Sequence, residues 1–193
     1  MCIRDRVVVA QLGSTGDSIM PTIAITGSPA VGKTTVSQLL SNLGWDVVSV
    51  TQLAKDFDCL GDYDKVMDSQ EIDIHRLSEM FEHEPNKQVI IDGHLSHFLT
   101  VDGIVMLRCQ PDILRQRLTI RDYSAAKINS NVEWEFIAGT WAEIIEFEID
   151  APVLELDGGE LDPKQIAEAI TRWVGDGLPS TDPPASIDWL ENG

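Results

Sequence analysis

Residues 27–34 read Gly-Ser-Pro-Ala-Val-Gly-Lys-Thr, a phosphate-binding loop, and the apolar run Thr22-Ile23-Ala24-Ile25-Thr26 ahead of it is the strand such a loop must leave. Gly27 and Gly32 let the backbone curl until its N–H groups point at phosphate oxygens, and a helix opening at Lys33 adds the positive end of its dipole. Lys33 supplies a mobile point charge for the β- and γ-phosphates, and the Thr34 hydroxyl is placed to ligate Mg²⁺. Ser28, Pro29, Ala30, Val31 and Thr35 complete the segment expected to wrap the phosphates of ATP.

A second chemical element stands at Ile90-Ile91-Asp92-Gly93-His94-Leu95-Ser96-His97. Asp92 ends an apolar strand, where phosphate-loop proteins hold Mg²⁺ through a carboxylate. An Asp-Gly pair after a strand is also an ordinary turn; sharing a sheet with the loop favours the metal-side role. His94 lies two residues on, close enough to the phosphates to donate a hydrogen bond or position water. Phosphoryl transfer gains mostly from positioning and charge neutralisation, so His94 need not move a proton. His97 is expected to be structural. Arg117 and Arg121 are spaced i, i+4 on one helix, and with Arg108 at the end of the preceding strand they are expected to converge on transferring phosphate oxygens. Lys127 is either a mobile fourth charge or a surface lysine.

Positioning these groups requires a frame of alternating strands and helices. Val36, Leu39, Leu40 and Leu43 recur at helical spacing after the loop, with Gly44 at a C-cap position, and a strand follows at 45–50. Residues 51–84 are polar and acidic, with amphipathic stretches at 51–58 and 73–82 and no strand-like run between them, which predicts a helical insertion at the strand ends. Val89-Ile90-Ile91 and Ile104-Val105-Met106-Leu107 are continuous apolar runs, the pattern of parallel strands covered on both faces. Pro111 opens a helix carrying Ile113, Leu114 and Leu118. A long helix is predicted over 131–148, a last strand over 152–156 and a last helix over 163–174. The prediction is an α/β fold with a mainly parallel sheet of about five strands, helices on both faces, and ligands at the carboxyl ends of the strands.

Composition bounds the rest. The 193 residues, 43% hydrophobic, suffice for one α/β core, and no apolar run is long enough to cross a bilayer. Cys2, Cys59 and Cys109 show neither paired spacing nor a Cys/His cluster, which points to a reducing, cytoplasmic setting. Lys and Arg number 14 against 32 Asp and Glu, a net charge of −18 that disfavours direct binding to nucleic acid and is compatible with a basic protein partner. The same balance suits a protein kept soluble in high salt, and composition leaves both readings open. Met1-Cys2-Ile3-Arg4-Asp5-Arg6 resembles the translation of a transposon-end sequencing adapter, so residues 1–19 are set apart as an expected non-native extension with Met20 as the expected start; the rival reading is a natural extension with a strand at Val7-Val8-Val9-Ala10. From Gly175 the chain becomes rich in Gly, Pro and Ser, a flexible tail ending in Ile187-Asp188-Trp189-Leu190 that either docks back on the body, stays disordered or binds a partner.

Several motifs in order resemble the CINAP-type adenylate kinases, small archaeal and eukaryotic nuclear enzymes. They are Gly27–Thr35, Leu53-Ala54-Lys55, Gly61-Asp62-Tyr63-Asp64, Ile90–His97, Leu107-Arg108-Cys109, and the run from Arg117 through Arg121, Tyr123, Lys127 and Asn131 to Glu135. The resemblance covers about residues 21–174. It implies a P-loop nucleoside monophosphate kinase fold, an AMP-binding insertion at 51–84, a short lid at 121–131, and the reaction Mg·ATP + AMP ⇌ 2 ADP. It also implies that Lys33 and Thr34 hold phosphate and Mg²⁺, that Asp92 supports the metal and the acceptor side with His94 and Lys55, and that Arg117 and Arg121 clamp the phosphoryl group. A link to small-ribosomal-subunit maturation, through a basic ribosomal protein, comes with the family. Lys55 stands where similar eukaryotic proteins have Arg, and lacks the planar fork for AMP phosphate. The rival function is an ATPase switch in ribosome assembly; a kinase for another small acceptor shares the donor-side chemistry.

Overall fold

The computed structural model describes residues 20–65, 67–83, 86–180 and 186–190; the extension 1–19 lies outside them. In chain order, β1 (Thr22–Thr26) leads through the phosphate-binding loop to α1 (Lys33–Asn42), then β2 (Asp46–Ser49) and α2 (Val50–Asp56). A hairpin of β3 (Leu60–Asp64) and β4 (Ser69–Ile72) precedes α3 (Ile74–Met80) and β5 (Val89–Asp92). After a single 3-10 turn at Ser96–Phe98 come β6 (Gly103–Arg108), α4 (Pro111–Ile120), α5 (Ala125–Phe136), α6 (Gly139–Glu146), β7 (Val153–Asp157) and α7 (Pro163–Gly175).

Five strands form one parallel sheet in the order β2-β5-β1-β6-β7, with β1 at its centre. Alternation of side chains across the sheet explains its two apolar layers. Ile23, Ile25, Ile90, Val105 and Leu107 face one way and pack with Val36 and Leu40 of α1, Leu114 and Leu118 of α4, and Ile166, Ile170 and Trp173 of α7. On the other side, Ile91 packs with Val50, Leu53 and Leu77 of α2 and α3, while Ala24, Ile104 and Met106 meet Trp141 and Ile144 of α6. The inner strands β1, β5 and β6 are thus covered on both sides, which is why they read as continuous apolar runs, whereas the edge strand β2 is largely exposed.

Helix starts follow local chemistry. Ser49, Asp73 and Ser124 cap α2, α3 and α5 through their side chains, and Asp162 with Gln165 forms a reciprocal capping box at α7. Pro111 occupies the first turn of α4, where its missing N–H costs nothing.

Two expectations are corrected. The segment 51–84 is not wholly helical, because Leu60–Asp64 and Ser69–Ile72 pair as an antiparallel hairpin whose residues are exposed or only half-buried. A two-stranded ribbon standing off the body buries no face, so it leaves no apolar alternation to detect. The predicted helix 131–148 is two helices, broken where Ala138 takes the left-handed conformation at φ 52°. Gly139 follows because a Cβ there would run into the Trp134 ring.

Candidate active site

The phosphate-binding loop leaves the carboxyl end of the central strand, bracketed by Gly27 at φ 126° and Gly32 at φ 113°. A Cβ on Gly27 would overlap the Leu107 carbonyl of β6, so the loop can cross the sheet edge only with glycine there. Lys33 Nζ donates to the Gly27 and Ser28 carbonyls at 2.7 and 2.8 Å, curled back under its own loop. Desolvation lowers its pKa from 10.5 to about 8, with Arg121 pushing the same way and Asp92 and Glu135 opposing. The low value marks an ammonium enclosed without a full counter-charge, a place prepared for an anion.

Asp92 ends β5, beside β1 in the sheet, with its backbone aligned to Ile25. The Thr34 side chain hydrogen-bonds its carboxylate; burial raises the Asp92 pKa, while Lys33 and Thr34 act in the opposite direction. These two oxygen donors fit Mg²⁺, which takes one or two protein oxygens and completes its shell with waters and substrate phosphates. Among the described residues no three His, Cys, Asp or Glu side chains gather into a metal cage.

Around these groups lies a cleft of about 610 Å³ lined by Gly27, Ser28, Lys33, Thr34, Asp92 and His94. Its far side is built from Ser49 and Thr51 at the start of α2, Met67 and Ser69 of the hairpin, and Lys127, Asn131 and Trp134 of α5. Lys127 closes this wall by donating to the Asp68 carbonyl at 2.9 Å while its ammonium lies 4.2 Å from the Tyr123 ring centroid. It is therefore a cleft residue that links α5 to the hairpin.

His94 faces the cleft with much of its surface exposed. Its pKa falls from 6.5 to about 4, through desolvation first and then repulsion from Lys33, His97 and Lys127 against the pull of Glu143. Enclosure by the cleft wall and the nearby charge of Lys33 both leave the imidazole neutral near pH 7. His97 is fully buried and fixed at both nitrogens, Nδ1 by Thr26 Oγ1 at 2.9 Å and Nε2 by Glu143 Oε2 at 3.1 Å. The Thr26 hydroxyl also donates to the His94 carbonyl at 3.1 Å, so His97 braces the backbone that presents His94.

The predicted arginines separate. Arg117 of α4 donates to the Ala30 carbonyl at 3.4 Å, underneath the loop, and Arg121 caps the same helix close enough to depress the Lys33 pKa. Arg108 does not join them. It shares the parity of Ile104 and Met106, so its side chain leaves β6 on the α6 side, where it is 2% exposed and bridges Glu135 at 2.6 Å and Glu155 at 2.8 Å. A guanidinium committed to two carboxylates is a support and not a phosphate ligand. Lys55 is exposed on α2 and does not line the cleft. Ser49, Thr51 and Ser69 stand on the wall where Lys55 was expected.

Glu135 was not singled out as a functional residue by the sequence. Its Oε2 accepts from Ser28 Oγ at 2.7 Å, and its Oε1 accepts from Arg108 Nε at 2.6 Å, Cys109 N at 3.3 Å and Trp189 Nε1 at 3.1 Å. One buried carboxylate thus ties the loop to β6, α5 and the chain's last described residues. The tail segment Ser186–Leu190 docks on the body, with Trp189 over the Arg108 guanidinium at 5.6 Å. The partial signal available was the i, i+4 placement of Asn131 and Glu135 on one helix; the partner Ser28 lies 107 positions away.

Residues 23–138 match the family model described as AAA domain. A Methanococcus maripaludis protein named "Putative adenylate kinase" is 34% identical over 176 residues, covering 88% of this chain and 96% of that protein. A protein of the same name from Thermococcus onnurineus is 36% identical over 171 residues, covering 88% and 91%. Among solved structures, the Bacillus subtilis YorR protein in complex with phosphorylated GDP superposes with TM-score 0.52 at 16% identity, over 80% of this chain and 95% of that one. A gluconokinase from Sinorhizobium meliloti does so at TM-score 0.52 and 12% identity, over 82% and 93%. These two likenesses concern the fold. No helix among the described residues is long and apolar enough to cross a membrane.

Proposed function

The chain belongs to the AAA-domain family of P-loop proteins, beside archaeal relatives that carry the adenylate kinase name, and from that premise we propose that it is a CINAP-type adenylate kinase transferring the γ-phosphoryl group of Mg·ATP to AMP. The carrying observation is that one cleft is lined both by the phosphate-loop groups and by three further elements. Lys33, Thr34 and Asp92 line it at the phosphate loop, and Ser49 and Thr51 at α2, Met67 and Ser69 of the β3–β4 hairpin, and Lys127, Asn131 and Trp134 of α5 line the rest. A protein that only hydrolysed ATP has no need of that second set of walls.

In this reading the loop amides and Lys33 bind the β- and γ-phosphates, and Arg117 and Arg121 approach from α4 to balance charge on the transferring group. Thr34 and Asp92 would hold Mg²⁺, which neutralises phosphate charge when bound. An AMP phosphate oxygen forms a bond to the γ-phosphorus as the bond to the β,γ-bridging oxygen breaks, giving two ADP. His94, neutral at the reacting position, donates one hydrogen bond from its ring and orients either the acceptor phosphate or a water. Neither role requires it to ionise.

The test is a product assay with Mg·ATP and added AMP, CMP, UMP or buffer alone. ADP formed at two per AMP consumed supports the reading; ADP and free phosphate formed regardless of AMP refutes it. The net charge of −18, together with exposed Phe136, Ile137, Ile145 and Phe147 on and after α5 and α6, favours a second role as an ATPase switch acting on a basic ribosomal protein. In that role water occupies the acceptor position, and the partner raises phosphate release.

A further inference from the structure

We propose that the C-terminal segment Ser186–Leu190 positions the phosphate-binding loop, with Trp189 acting through Glu135 on Ser28. The inference rests on the loop being a nucleotide site and is independent of which acceptor is used.

The argument starts from a charge imbalance. Glu135 and Glu155 share one guanidinium, that of Arg108, in a place where all three side chains are 2–3% exposed. One buried negative charge is left over, and buried charge persists only when neutral donors satisfy its lone pairs. Trp141 Nε1 gives Glu155 one bond at 2.7 Å. The tail supplies most of the others: Ser186 N at 2.6 Å, Ser186 Oγ at 3.2 Å and Ile187 N at 3.0 Å, all to Glu155 Oε2. Trp189 Nε1 adds 3.1 Å to Glu135 Oε1, and the Ile187 carbonyl accepts from Arg108 Nη1 at 3.4 Å.

What the tail grips is the carboxylate that grips the loop. Glu135 Oε2 takes the Ser28 hydroxyl at 2.7 Å, and the Ser28 carbonyl is one of the two that hold Lys33. Trp189 therefore sits two hydrogen bonds from Ser28. Its ring also covers the Arg108 guanidinium, keeping water from competing for Glu135. A segment serving only to cover apolar surface would not direct four donors to two carboxylates. Nor is it a pillar of the fold, since Trp189 is half-buried and Leu190 is 67% exposed.

The test uses the full chain with Trp189→Phe, which keeps an aromatic ring and removes the N–H, alongside Ser28→Ala and the double variant. Binding of a fluorescent ATP analogue is measured for each, with thermal melting of the nucleotide-free protein and KM for donor and acceptor. Trp189→Phe is expected to weaken ATP binding by about three- to tenfold, part of what one hydrogen bond to a charged group contributes. The acceptor KM stays near that of the parent, and the melting temperature falls by only a few degrees because Glu135 Oε1 keeps Arg108 Nε and Cys109 N. The double variant binds ATP no worse than Ser28→Ala alone, because both substitutions cut one chain of contacts. Unchanged ATP affinity in Trp189→Phe, additive losses in the double variant, or a loss that tracks melting would each overturn the proposal. If the parent phosphorylates no acceptor, the kinase reading fails while the ATP-binding comparison still decides this one; Lys33→Ala, which abolishes binding at the loop, anchors that comparison.

Discussion

Gly27→Ala would separate what the phosphate-binding loop owes to shape from what it owes to charge. An added Cβ would overlap the Leu107 carbonyl oxygen and sit 3.2 Å from its carbon. Carbon and oxygen need about 3.3 Å, so the loop would have to withdraw by about 1 Å. Leu107 is fully buried in β6 and cannot yield instead. The φ of 126° adds strain of about 1–3 kcal/mol for a residue with a side chain, which at about 2–4 °C per kcal/mol lowers the melting temperature by about 2–12 °C. Misplacement by about 1 Å is worth about a hundredfold in rate, so kcat/KM for Mg·ATP should fall about that far. Gly32→Ala is the matched comparison. It has a similar φ of 113° but nothing within 4 Å of the new Cβ, and should lose comparable stability with a rate loss of about tenfold or less. Steady-state phosphoryl transfer and circular-dichroism melting give both numbers. Gly27→Ala turning over within about threefold of the parent would refute the argument, as would Gly32→Ala losing as much rate.

Affinity for ATP should fall as pH rises through about 8, because above that value free Lys33 is neutral and binding must first recharge it; titration calorimetry across pH 7–9.5 measures the slope. For His94 the folded value near 4 lies below the ordinary 6.5, so the unfolded chain binds more protons between them, and this residue's contribution to stability falls as pH drops through that window. Melting curves of His94→Gln should show a shallower pH dependence from 6.5 to 4 than the parent, with an NMR imidazole titration locating the midpoint. Lys55→Ala should change acceptor KM by less than about twofold, whereas Trp134→Ala, which opens the cleft wall and frees the space against Gly139, should raise it by about tenfold or more.

The frame was legible because its inner strands β1, β5 and β6 are buried on both faces and several of its helices start on side-chain caps. The loop was legible because backbone curvature and phosphate charge demand particular residues within eight positions. The hairpin was not, since Leu60–Asp64 and Ser69–Ile72 pack against little and carry no period. Arg108 was misassigned from its position at a strand end, although parity with Ile104 and Met106 already placed its side chain on the opposite face from α1 and α4. Lys55 was favoured by charge alone; the cleft wall uses hydroxyls and an exposed helix face carries the lysine away. The bond between Ser28 and Glu135 joins residues 107 positions apart, and nothing local in the sequence announces such a pair.

The sheet order also dictates a timetable. β1 precedes every other strand of the sheet but lies between β5 and β6, its register partners running from Val89 to Met106, so it has no neighbour until β5 has been synthesised. Closing such long loops is slow, and a lone apolar strand waits exposed meanwhile. Glu135 and Trp189 are made later still. On a ribosome the phosphate loop therefore emerges well before the residues that give it its last contacts, so a chain cut between the loop and Trp189 would carry the whole loop yet lack the clasp that sets it.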